Sequence, residues 1–477
     1  DGEDSSTIDL TGSDPNAGNI TIDGPDGATN TFEGKITGTG DGDITKKGDS
    51  TQELTGDNDF QSDVNLKGGT LVMNFVNDDS ITENITVNAQ DGTEFAFKTP
   101  ADAGNITFAG ELKGNNQNPD EDIILSQRGP GDITLTGDLS GFTALRIAPE
   151  GSIIDDTGDD AFADLDIKVG EGGSLQINDG EFSKGITGDG GVKINGDVSF
   201  TDEAKEFKGS TVIDGGSLSL DIQDAIKESS GVELTAGGNL SASQTQNIKS
   251  IDIKNDNSSV SVTNGSVVSV GNVSLDQNVS GTSITADGDS ELKINNPIDG
   301  DLSVDNISVT NGSKANLGGV NGNVTGSSLT VDENSDFSVN ETISGDLSVD
   351  NIKITNGSSA TFDDIKGEVS GKTFQVDEGS SLSFGKIDKG FNVETFKSDG
   401  ELDFTFNKND RSNLRGDFEV SENSSINVNN QNNGINSEVR LTGTLSGGGK
   451  LNINESQSGT GKVALDNQTD NNISEVI

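Results

Sequence analysis

Residues 300 to 313 read "GDLSVDNISVTNGS", and residues 345 to 358 read "GDLSVDNIKITNGS". Twelve of the fourteen positions are identical across an offset of 45 residues. The correspondence continues without a gap, because residues 314 to 339 align with residues 359 to 384. A third copy lies upstream, where "GTSITADGDSELKI" at residues 281 to 294 aligns with residues 326 to 339. The chain therefore contains a true structural repeat of 45 residues.

Each repeat contains a finer period. Ile307 and Val309 correspond to Leu329 and Val331, 22 residues later, so one 45-residue unit holds two shorter phrases. Each phrase has alternating apolar residues, a cluster of Gly, Asn and Asp, and a second alternating run. Alternation at period two predicts a strand with one buried face, and the cluster supplies residues that tolerate positive φ in a turn.

A short strand, a turn and another strand that return every 20 to 24 residues predict an all-β fold, a parallel β-solenoid in which each coil, or rung, stacks on the next. The same phrase recurs at residues 85–97, 165–177, 210–220, 232–242 and 418–428. With about 22 residues and a rise of about 4.8 Å per rung, the chain makes on the order of 20 rungs in one continuous rod.

Composition agrees with a thin core. Of the 477 residues, 29% are apolar and 64 are Gly, too few apolar residues for large globular cores but enough for a narrow column. Low hydrophobicity with high net charge is also the signature of intrinsic disorder. Disorder does not require apolar residues to alternate, and here they alternate along most of the chain.

The charge and the missing residue types limit function. Thirty basic and 81 acidic residues give a net charge of −51, which disfavours nucleic acid and anionic membranes as partners. The chain has no His and no Cys, so it lacks Ser-His-Asp and Cys-His catalytic sets and the usual zinc ligands. Paired carboxylates of the glycosidase type remain an alternative, but we expect no enzymatic activity.

Residues 42 to 73, "GDITKKGDSTQELTGDNDFQSDVNLKGGTLVM", resemble a known family motif. The motif is the autotransporter-associated β-strand repeat, with its Lys46, its "LTGxNxF" segment and its "GGTL" ending. A weaker copy covers residues 190 to 220, with Phe207 and a "GGSL" segment at residues 215 to 218. The chain is thus similar to the passenger domains of type V secreted proteins.

This resemblance implies a right-handed parallel β-helix displayed on the outer membrane surface of a Gram-negative bacterium. Such passengers mostly act as adhesins or as autoaggregation and biofilm factors. The partner would be a host-cell or matrix receptor, a glycan or another copy of the rod, and the passenger itself would not lie in the membrane. A structural subunit of a surface layer or extracellular fibre is the alternative.

Regularity varies along the chain. We expect an irregular solenoid with the family repeats over residues 1–250, a regular solenoid with 45-residue double rungs over 251–390, and further rungs over 391–477 without the translocating barrel that follows passengers. Two stretches, residues 201–208 and 224–230, predict a helical turn or an excursion from the coil.

Arg415, Gly416 and Asp417 form the tripeptide that animal integrins recognise. The hypothesis is host-cell attachment through this motif. The alternative is structural, because Gly-Asp followed by an apolar residue recurs seven times and belongs to the turns of the repeat.

Acidic turns raise the question of a metal. Asp155, Asp156, Asp159 and Asp160 in "DDTGDD" are hard oxygen ligands of the kind that calcium prefers, and calcium is the one cofactor that the sequence suggests. The alternative is that these are solvated turn residues, since no calcium-binding nonapeptide or EF-hand loop is present. Outward positions that vary between copies, such as Ser308 against Lys353, are where partner specificity is expected.

Overall fold

In a computed structural model, the chain consists of parallel β-strands joined by turns, with no helix among the described residues. The described residues are 7–10, 18–38, 42–56, 58–74, 85–99, 106–157, 161–254, 256–275, 282–406, 411–422, 424–430, 438–455, 462–466 and 475–476. The chain divides into two compact units, Asp1–Ser230 and Gly231–Ile477.

The strands of the first unit are short because a turn follows every few residues. They are β1 (Thr7–Asp9), β2 (Ile20–Asp23), β3 (Thr29–Phe32), β4 (Lys35–Gly38), β5 (Ile44–Lys47), β6 (Thr51–Leu54), β7 (Asp59–Phe60), β8 (Val64–Leu66), β9 (Thr70–Asn74), β10 (Thr86–Gln90), β11 (Glu94–Lys98), β12 (Ile106–Phe108), β13 (Glu111–Asn115), β14 (Ile124–Arg128), β15 (Asp132–Leu135), β16 (Leu139–Ser140), β17 (Ala144–Ile147), β18 (Ser152–Asp155), β19 (Asp166–Val169), β20 (Ser174–Ile177), β21 (Gly180–Phe182), β22 (Ile186–Gly188), β23 (Gly191–Ile194), β24 (Asp197–Phe200), β25 (Glu206–Phe207), β26 (Thr211–Asp214) and β27 (Ser217–Leu220).

Strands of the first unit pair with strands of the preceding and following rungs. A nine-stranded sheet has the order β25-β22-β19-β17-β14-β11-β9-β6-β3, and a six-stranded sheet has the order β16-β13-β10-β8-β5-β2. A three-stranded sheet, β1-β4-β7, and the series β12-β15-β18-β20-β23-β26 and β21-β24-β27 complete the unit. Neighbours in these series are never consecutive in the chain, which is the topology of a coil stacked on itself.

The second unit has longer strands, several of which run through a bend. They are β28 (Val232–Thr235), β29 (Asn239–Ala242), β30 (Gln246–Ile253), β31 (Ser259–Val262), β32 (Val267–Leu275), β33 (Ser283–Ala286), β34 (Glu291–Ile294), β35 (Leu302–Ser303), β36 (Asn306–Val309), β37 (Lys314–Leu317), β38 (Val324–Val331), β39 (Asp336–Val339), β40 (Leu347–Ile354), β41 (Ser359–Phe362), β42 (Glu368–Val376), β43 (Ser381–Ile387), β44 (Gly390–Ser398), β45 (Glu401–Phe406), β46 (Arg411–Val420), β47 (Ser425–Asn430), β48 (Glu438–Thr442), β49 (Leu445–Ser446), β50 (Lys450–Glu455), β51 (Lys462–Asp466) and β52 (Glu475–Val476).

Two long parallel series form the second unit. One runs β28-β30-β32-β34-β37-β39-β41-β43-β45-β47-β50-β52, and the other runs β29-β31-β33-β36-β38-β40-β42-β44-β46-β48-β51. Strand β35 also pairs with β38, and β49 pairs with β46. A third line of contact consists of single parallel bridges that join Ile298, Val320, Ile343, Ile365 and Ile387 in that order.

The core of each unit is a column of inward side chains. In β41 the burial alternates, with Ala360 and Phe362 inside. Ala360 lies beside Phe337, which lies in turn beside Ala315, so small and large side chains alternate up the stack. The rings of Phe362 and Phe384 stack with centroids 5.4 Å apart. Each buried Phe contributes about 1.5–3 kcal/mol relative to an exposed one.

The structure confirms the predicted fold class, a parallel β-solenoid. Contacts that link equivalent residues of adjacent rungs span 22 or 23 residues, as the repeat predicts. The predicted helical turns are not found. Residues 201–208 contain the short strand β25, and residues 224–228 form consecutive turns that bury Ala225 and Ile226.

Candidate functional site

The Gly-Asp phrase builds one edge of the rungs in the second unit. The backbone N–H of Asn323 donates to Oδ1 of Asp301 at 2.6 Å, and the N–H of Asp346 donates to Oδ1 of Asn323 at 2.8 Å. The N–H of Glu368 then donates to Oδ1 of Asp346 at 2.8 Å. Each polar side chain therefore satisfies a backbone donor on the next rung, and we call this series the edge ladder.

Glycine precedes each member of the edge ladder. A side chain at Gly322 or Gly345 would collide with the preceding rung, whereas Gly300 has a φ of 85°, a conformation that glycine adopts readily. A Cβ on Gly322 would lie 2.3 Å from Oδ1 of Asp301, and a Cβ on Gly345 would lie 2.3 Å from Oδ1 of Asn323. Real Cβ atoms do not approach oxygen that closely. The most faithful part of the repeat is thus fully explained by the geometry of the turn.

The Thr-Asn-Gly phrase builds a second turn. Asn311 and Gly312 both have positive φ, 54° and 75°. The side chains of Thr310 and Asn311 each donate to Oδ1 of Asp287 at 2.7 Å. These bonds hold the pKa of Asp287 below its usual value. Asp332 receives the same two bonds from the next copy of the phrase, and its pKa is lowered in the same way.

A column of buried serines follows this turn. The N–H of Ser290 donates to Oγ of Ser313 at 3.0 Å, and the N–H of Ser313 donates to Oγ of Ser335 at 3.2 Å. The N–H of Ser335 donates to Oγ of Ser358 at 3.1 Å. All four residues are buried. The Ser of the phrase therefore accepts a backbone hydrogen bond inside the solenoid and is not available to a ligand.

Outward side chains also bond from rung to rung. Oγ of Ser338 donates to Oδ1 of Asn316 at 2.8 Å, and Nδ2 of Asn316 donates to a carboxylate oxygen of Glu291 at 2.9 Å. Asn452 bonds to Asn427 at 2.7 Å in a similar series. The outer faces present rows of amide, hydroxyl and carboxylate groups at rung spacing, about 4.8 Å.

The integrin-type tripeptide lies inside strand β46 and not in a loop. Gly416 is buried, while Arg415 and Asp417 both face outward. Oδ1 of Asp417 accepts hydrogen bonds from the N–H of Thr444 at 3.0 Å and from its hydroxyl at 2.8 Å, and these bonds lower the pKa of Asp417. Asp417 thus bonds to the next rung as Asp301 does. Recognition by integrins stays a prediction.

A polar groove of about 630 Å³ surrounds this tripeptide. We call it the tripeptide groove; its charged side chains are Asp350, Lys372, Glu394, Arg415 and Asp417. Nζ of Lys372 pairs with Asp350 at 2.7 Å, and this contact raises the pKa of Lys372. Charges of opposite sign therefore alternate across successive rungs of an exposed surface.

The candidate calcium ligands are only partly described. Asp155 is buried at the end of β18 and accepts bonds from the N–H and hydroxyl of Thr157. Asp156 accepts a bond from Nδ2 of Asn178 at 3.3 Å. Asp159 and Asp160 lie outside the described residues. Among the described residues no group of three or more metal-ligating side chains is assembled, and calcium binding stays a prediction.

Outward positions that differ between repeats do lie on an outer face. Ser308 in β36 pairs in register with Thr330, and Thr330 pairs with Lys353 in β40. Lys353 is exposed and Ser308 is half-buried. This outward position therefore changes the chemistry of the surface, whereas the other difference, Val309 against Ile354, is an exchange of buried apolar residues.

Two lysines of the first unit, Lys205 and Lys46, are buried, which the sequence did not predict. Nζ of Lys205 contacts four backbone carbonyl oxygens, those of Phe182, Lys184, Thr201 and Glu203, at 2.6–3.2 Å. Burial lowers the pKa of Lys205 to about 8, against the opposing effect of Glu203 and Asp202. Its ammonium group ties together turns of adjacent rungs.

Lys46 has a related arrangement. Its Nζ contacts the carbonyl oxygens of Lys47 and Gly48 at 2.6 and 2.7 Å and that of Gly68 at 3.2 Å. Burial lowers its pKa as well. In the sequence, Lys46 is marked only by the motif resemblance at residues 42–73, and that resemblance did not predict that its side chain is buried.

Comparison with known proteins assigns no family. Models of protein families, curated proteins and solved structures give no match to the chain. In the part of the chain that is described, no helix is long and apolar enough to cross a membrane. Function is therefore inferred from the geometry of the chain itself.

Proposed function

We propose that this chain is an autotransporter passenger on the surface of a Gram-negative bacterium, where it acts as an adhesin or autoaggregation factor. The observation that carries this proposal is the set of outward polar rows in the second unit, which repeat at every rung. A partner with its own periodic surface contacts many rungs at once. The family motif at residues 42–73 supports the assignment to a secreted passenger.

The mechanism is multivalent binding. One hydrogen bond on an exposed face contributes little, since water competes for the same groups. When several such contacts are linked by a stiff scaffold, each later contact forms at a high effective concentration. The interior favours stiffness, because buried serines and stacked rings connect adjacent rungs of the second unit. Avidity then comes from the number of rungs engaged.

Net charge sets the conditions for self-association. Two copies that each carry −51 repel one another at long range. Salt screens this repulsion over a Debye length of about 8 Å at physiological ionic strength. Contacts between alternating charges in the tripeptide groove act at shorter range. Clumping should therefore increase as salt is raised from low to physiological concentration.

Surface display in a non-clumping bacterial host tests the proposal. Cells that display the chain are expected to sediment faster, or to attach better to a protein or glycan surface, than cells that display only the carrier. Replacing Lys372 and Arg415 with Glu should reduce the effect, because both cations lie in an exposed groove. Lys208→Glu, in the first unit, is the matched control. Display without any change in sedimentation or attachment contradicts the proposal.

A structural role is the second candidate. The observation in its favour is that the repeated phrase is accounted for by contacts within the solenoid, namely the edge ladder and the serine column. A subunit of a surface layer or fibre requires a stiff body more than a receptor site. Electron microscopy of concentrated purified protein separates the two, since ordered arrays or fibres indicate the structural role and dispersed particles favour the adhesin.

A further inference from the structure

Six Asn-Gly pairs occur in the chain, and five of them lie in the described ranges. In such a pair the backbone nitrogen of the Gly can attack the side-chain amide carbon of the Asn, because the Gly has no side chain to shield its nitrogen. The attack requires that the Gly N–H lose its proton and that the Asn side chain turn toward the backbone. A hydrogen bond from either group therefore slows the reaction, and the folded chain distinguishes the five pairs by these bonds.

Three of the five pairs hold the Gly N–H in a hydrogen bond with the next rung. These bonds run from Gly265 to the carbonyl of Gly288 at 2.7 Å, from Gly312 to the carbonyl of Glu333 at 2.8 Å, and from Gly357 to Oγ of Ser380 at 3.1 Å. In two of the three, the side chains of Asn311 and Asn356 also donate to carboxylates. Stacking thus keeps both reacting groups of these turns engaged.

The fourth pair is held by its side chain alone. Nδ2 of Asn321 donates to Oδ1 of Asp299 at 2.8 Å, on the preceding rung. The N–H of Gly322 has no hydrogen-bond partner among the described residues. One bond therefore has to break before Asn321 can react.

The fifth pair, Asn195 and Gly196, forms the two-residue turn between β23 and β24. Asn195 is exposed, and neither its side chain nor the N–H of Gly196 has a hydrogen-bond partner in the part of the chain that is described. The turn itself is part of the stack, because the N–H of Asn195 donates to the carbonyl of Ile177 at 2.9 Å and the carbonyl of Gly196 accepts from Ser217 at 2.8 Å. Here both reacting groups are unengaged in the folded chain.

We propose that Asn195 is a site of spontaneous deamidation in the folded protein, a modification that goes beyond the proposed adhesion and does not depend on it. The nitrogen of Gly196 loses its proton to hydroxide and forms a bond with Cγ of Asn195. The bond from Cγ to Nδ2 then breaks, and ammonia leaves with a proton from water. A second step adds water to one of the two carbonyl carbons of the succinimide ring. The product is aspartate or isoaspartate, water is consumed, and nothing is oxidised or reduced.

The product changes the charge of this corner. Asn195 lies opposite Asp214 of the next rung, because Ile194 pairs in register with Ile213. Asp214 already pairs with Lys193 at 2.8 Å. A carboxylate at position 195 would lie beside that of Asp214, and like charges that face each other on adjacent strands are destabilising.

Isoaspartate also lengthens the backbone of the turn by one carbon atom. The space for it is small, because even a Cβ on Gly196 would collide with the carbonyl oxygen of Asn178 on the preceding rung. The hydrogen bond from Ser217 to the carbonyl of Gly196 should then weaken. Deamidation should therefore loosen this corner of the first unit with time.

Incubation of the purified full chain at mildly alkaline pH, followed by peptide mapping with mass spectrometry, tests the proposal. Conversion at Asn195 is expected to be about 5-fold or more faster than at each of the other described pairs, the factor that corresponds to one net hydrogen bond. The rate should rise with pH, because the nitrogen attacks without its proton. Equal rates at all the described pairs, or a faster rate at any of the others, overturn the proposal.

The same incubation in concentrated urea separates the effect of the fold from that of the local sequence. Unfolding removes the hydrogen bonds and is expected to bring the rates of the described pairs together. Rates that keep their folded order in urea would mean that the neighbouring residues select Asn195, and this result would also overturn the proposal.

Matched variants test the role of the hydrogen bonds. Asp299→Ala removes the acceptor of the Asn321 side chain and should raise the rate at Asn321 about 5-fold, toward that at Asn195. Asp350→Ala removes an exposed carboxylate that pairs with Lys372 and should change neither rate. An unchanged rate at Asn321 in Asp299→Ala contradicts the proposal, because the bond would then not explain why Asn321 is protected.

Hydrogen exchange measures the structural consequence. The Ser217 amide should exchange faster in the aged chain than in the fresh chain, whereas Asn195→Gln, whose longer side chain disfavours ring closure, should show no change on ageing. The variant Asn195→Asp carries the new charge on a normal backbone, so faster exchange in the aged chain than in this variant isolates the effect of isoaspartate. Equal exchange at Ser217 in aged and fresh native chains, with Asn195 converted, would refute the predicted loosening.

Discussion

The carboxylate of Asp346 accepts a hydrogen bond from the backbone N–H of Glu368, 2.8 Å away on the next rung. This bond is the main reason that the pKa of Asp346 lies below its usual value. Gly345, immediately before Asp346, is held in place by the same ladder, because a Cβ there would lie 2.3 Å from Oδ1 of Asn323. The edge ladder thus explains why Gly345 and Asp346, two neighbouring residues of the repeated phrase, are the residues found there.

Gly345→Ala should therefore destabilise the second unit by about 2 kcal/mol, within the usual range for overpacking. Asp346→Ala should cost about 1 kcal/mol, the ordinary net value of a hydrogen bond. Gly185→Ala is the control, since its Cβ would approach only a carboxylate oxygen of Glu203 at 3.5 Å. Urea unfolding and hydrogen exchange of the Glu368 amide measure these effects. An unchanged exchange rate in Asp346→Ala would show that the bond is not stabilising.

The tripeptide at Arg415 gives a second prediction. Asp417→Ala should accelerate hydrogen exchange at the Thr444 amide, because that amide loses its acceptor. Arg415→Ala should leave exchange unchanged, since Arg415 is exposed. Attachment of animal cells through integrins, measured as the part that a soluble Arg-Gly-Asp peptide blocks, should be the same for Arg415→Ala as for the native protein. Loss of attachment in Arg415→Ala with normal exchange would instead establish the integrin hypothesis.

The fold could be predicted from sequence because its signals are local. The alternation of apolar residues around Ile307 and Val309 gives the strand period, and Asn311 with Gly312 gives the turn. The offset of 45 residues then gives the stacking register without any long-range information. Stacking of like positions, such as Phe337 beside Ala360, follows directly from that register.

The sites could not be predicted in the same way. A lysine is expected at the surface because it is charged, yet Lys205 is buried and its Nζ donates to four backbone carbonyl oxygens. Such arrangements arise from where turns of adjacent rungs meet, which the repeat does not encode.

The buried serine column gives a third prediction. Ser335→Ala removes the shorter of two hydrogen bonds from the N–H of Ser313, which also reaches the carbonyl oxygen of Thr310 at 3.3 Å, and should cost about 1 kcal/mol. Ser327→Ala, at an exposed position, should change the free energy of unfolding by less than about 0.5 kcal/mol. Urea unfolding followed by circular dichroism measures both. Equal effects of the two substitutions would show that the column contributes nothing specific.

Acid should weaken the Thr-Asn-Gly turns. The pKa values of Asp287 and Asp332 are lowered in the folded chain, chiefly by side-chain hydrogen bonds. Their contribution is therefore present above the unfolded pKa of about 3.9 and is lost as the pH falls through the lower folded values. The double variant Asp287→Asn with Asp332→Asn should be less stable than the native chain at pH 7. The difference should shrink below about pH 4, and a difference independent of pH would contradict this account.

Alkaline pH should have the opposite effect through Lys205. Its pKa is about 8 in the folded chain, because burial disfavours the ammonium form, against about 10.4 when unfolded. Between these values the unfolded chain binds one proton more than the folded chain. The contribution of this group to the free energy of unfolding should therefore rise with pH between about 8 and about 10.4 and should be constant below that range.

Lys205→Met isolates this contribution. The variant should be less stable at pH 7 by about 2–3 kcal/mol, because it leaves buried carbonyl oxygens of Lys184 and Glu203 without their donor. Lys208→Met is the matched control, since Lys208 is exposed and pairs with Asp189 at 2.7 Å. Subtracting the stability of Lys205→Met from that of the native chain across pH 7 to 11 should give a difference that increases above pH 8. If this difference in stability does not change with pH, Lys205 keeps its proton in the folded chain, and its contacts with the four carbonyl oxygens outweigh the cost of desolvation.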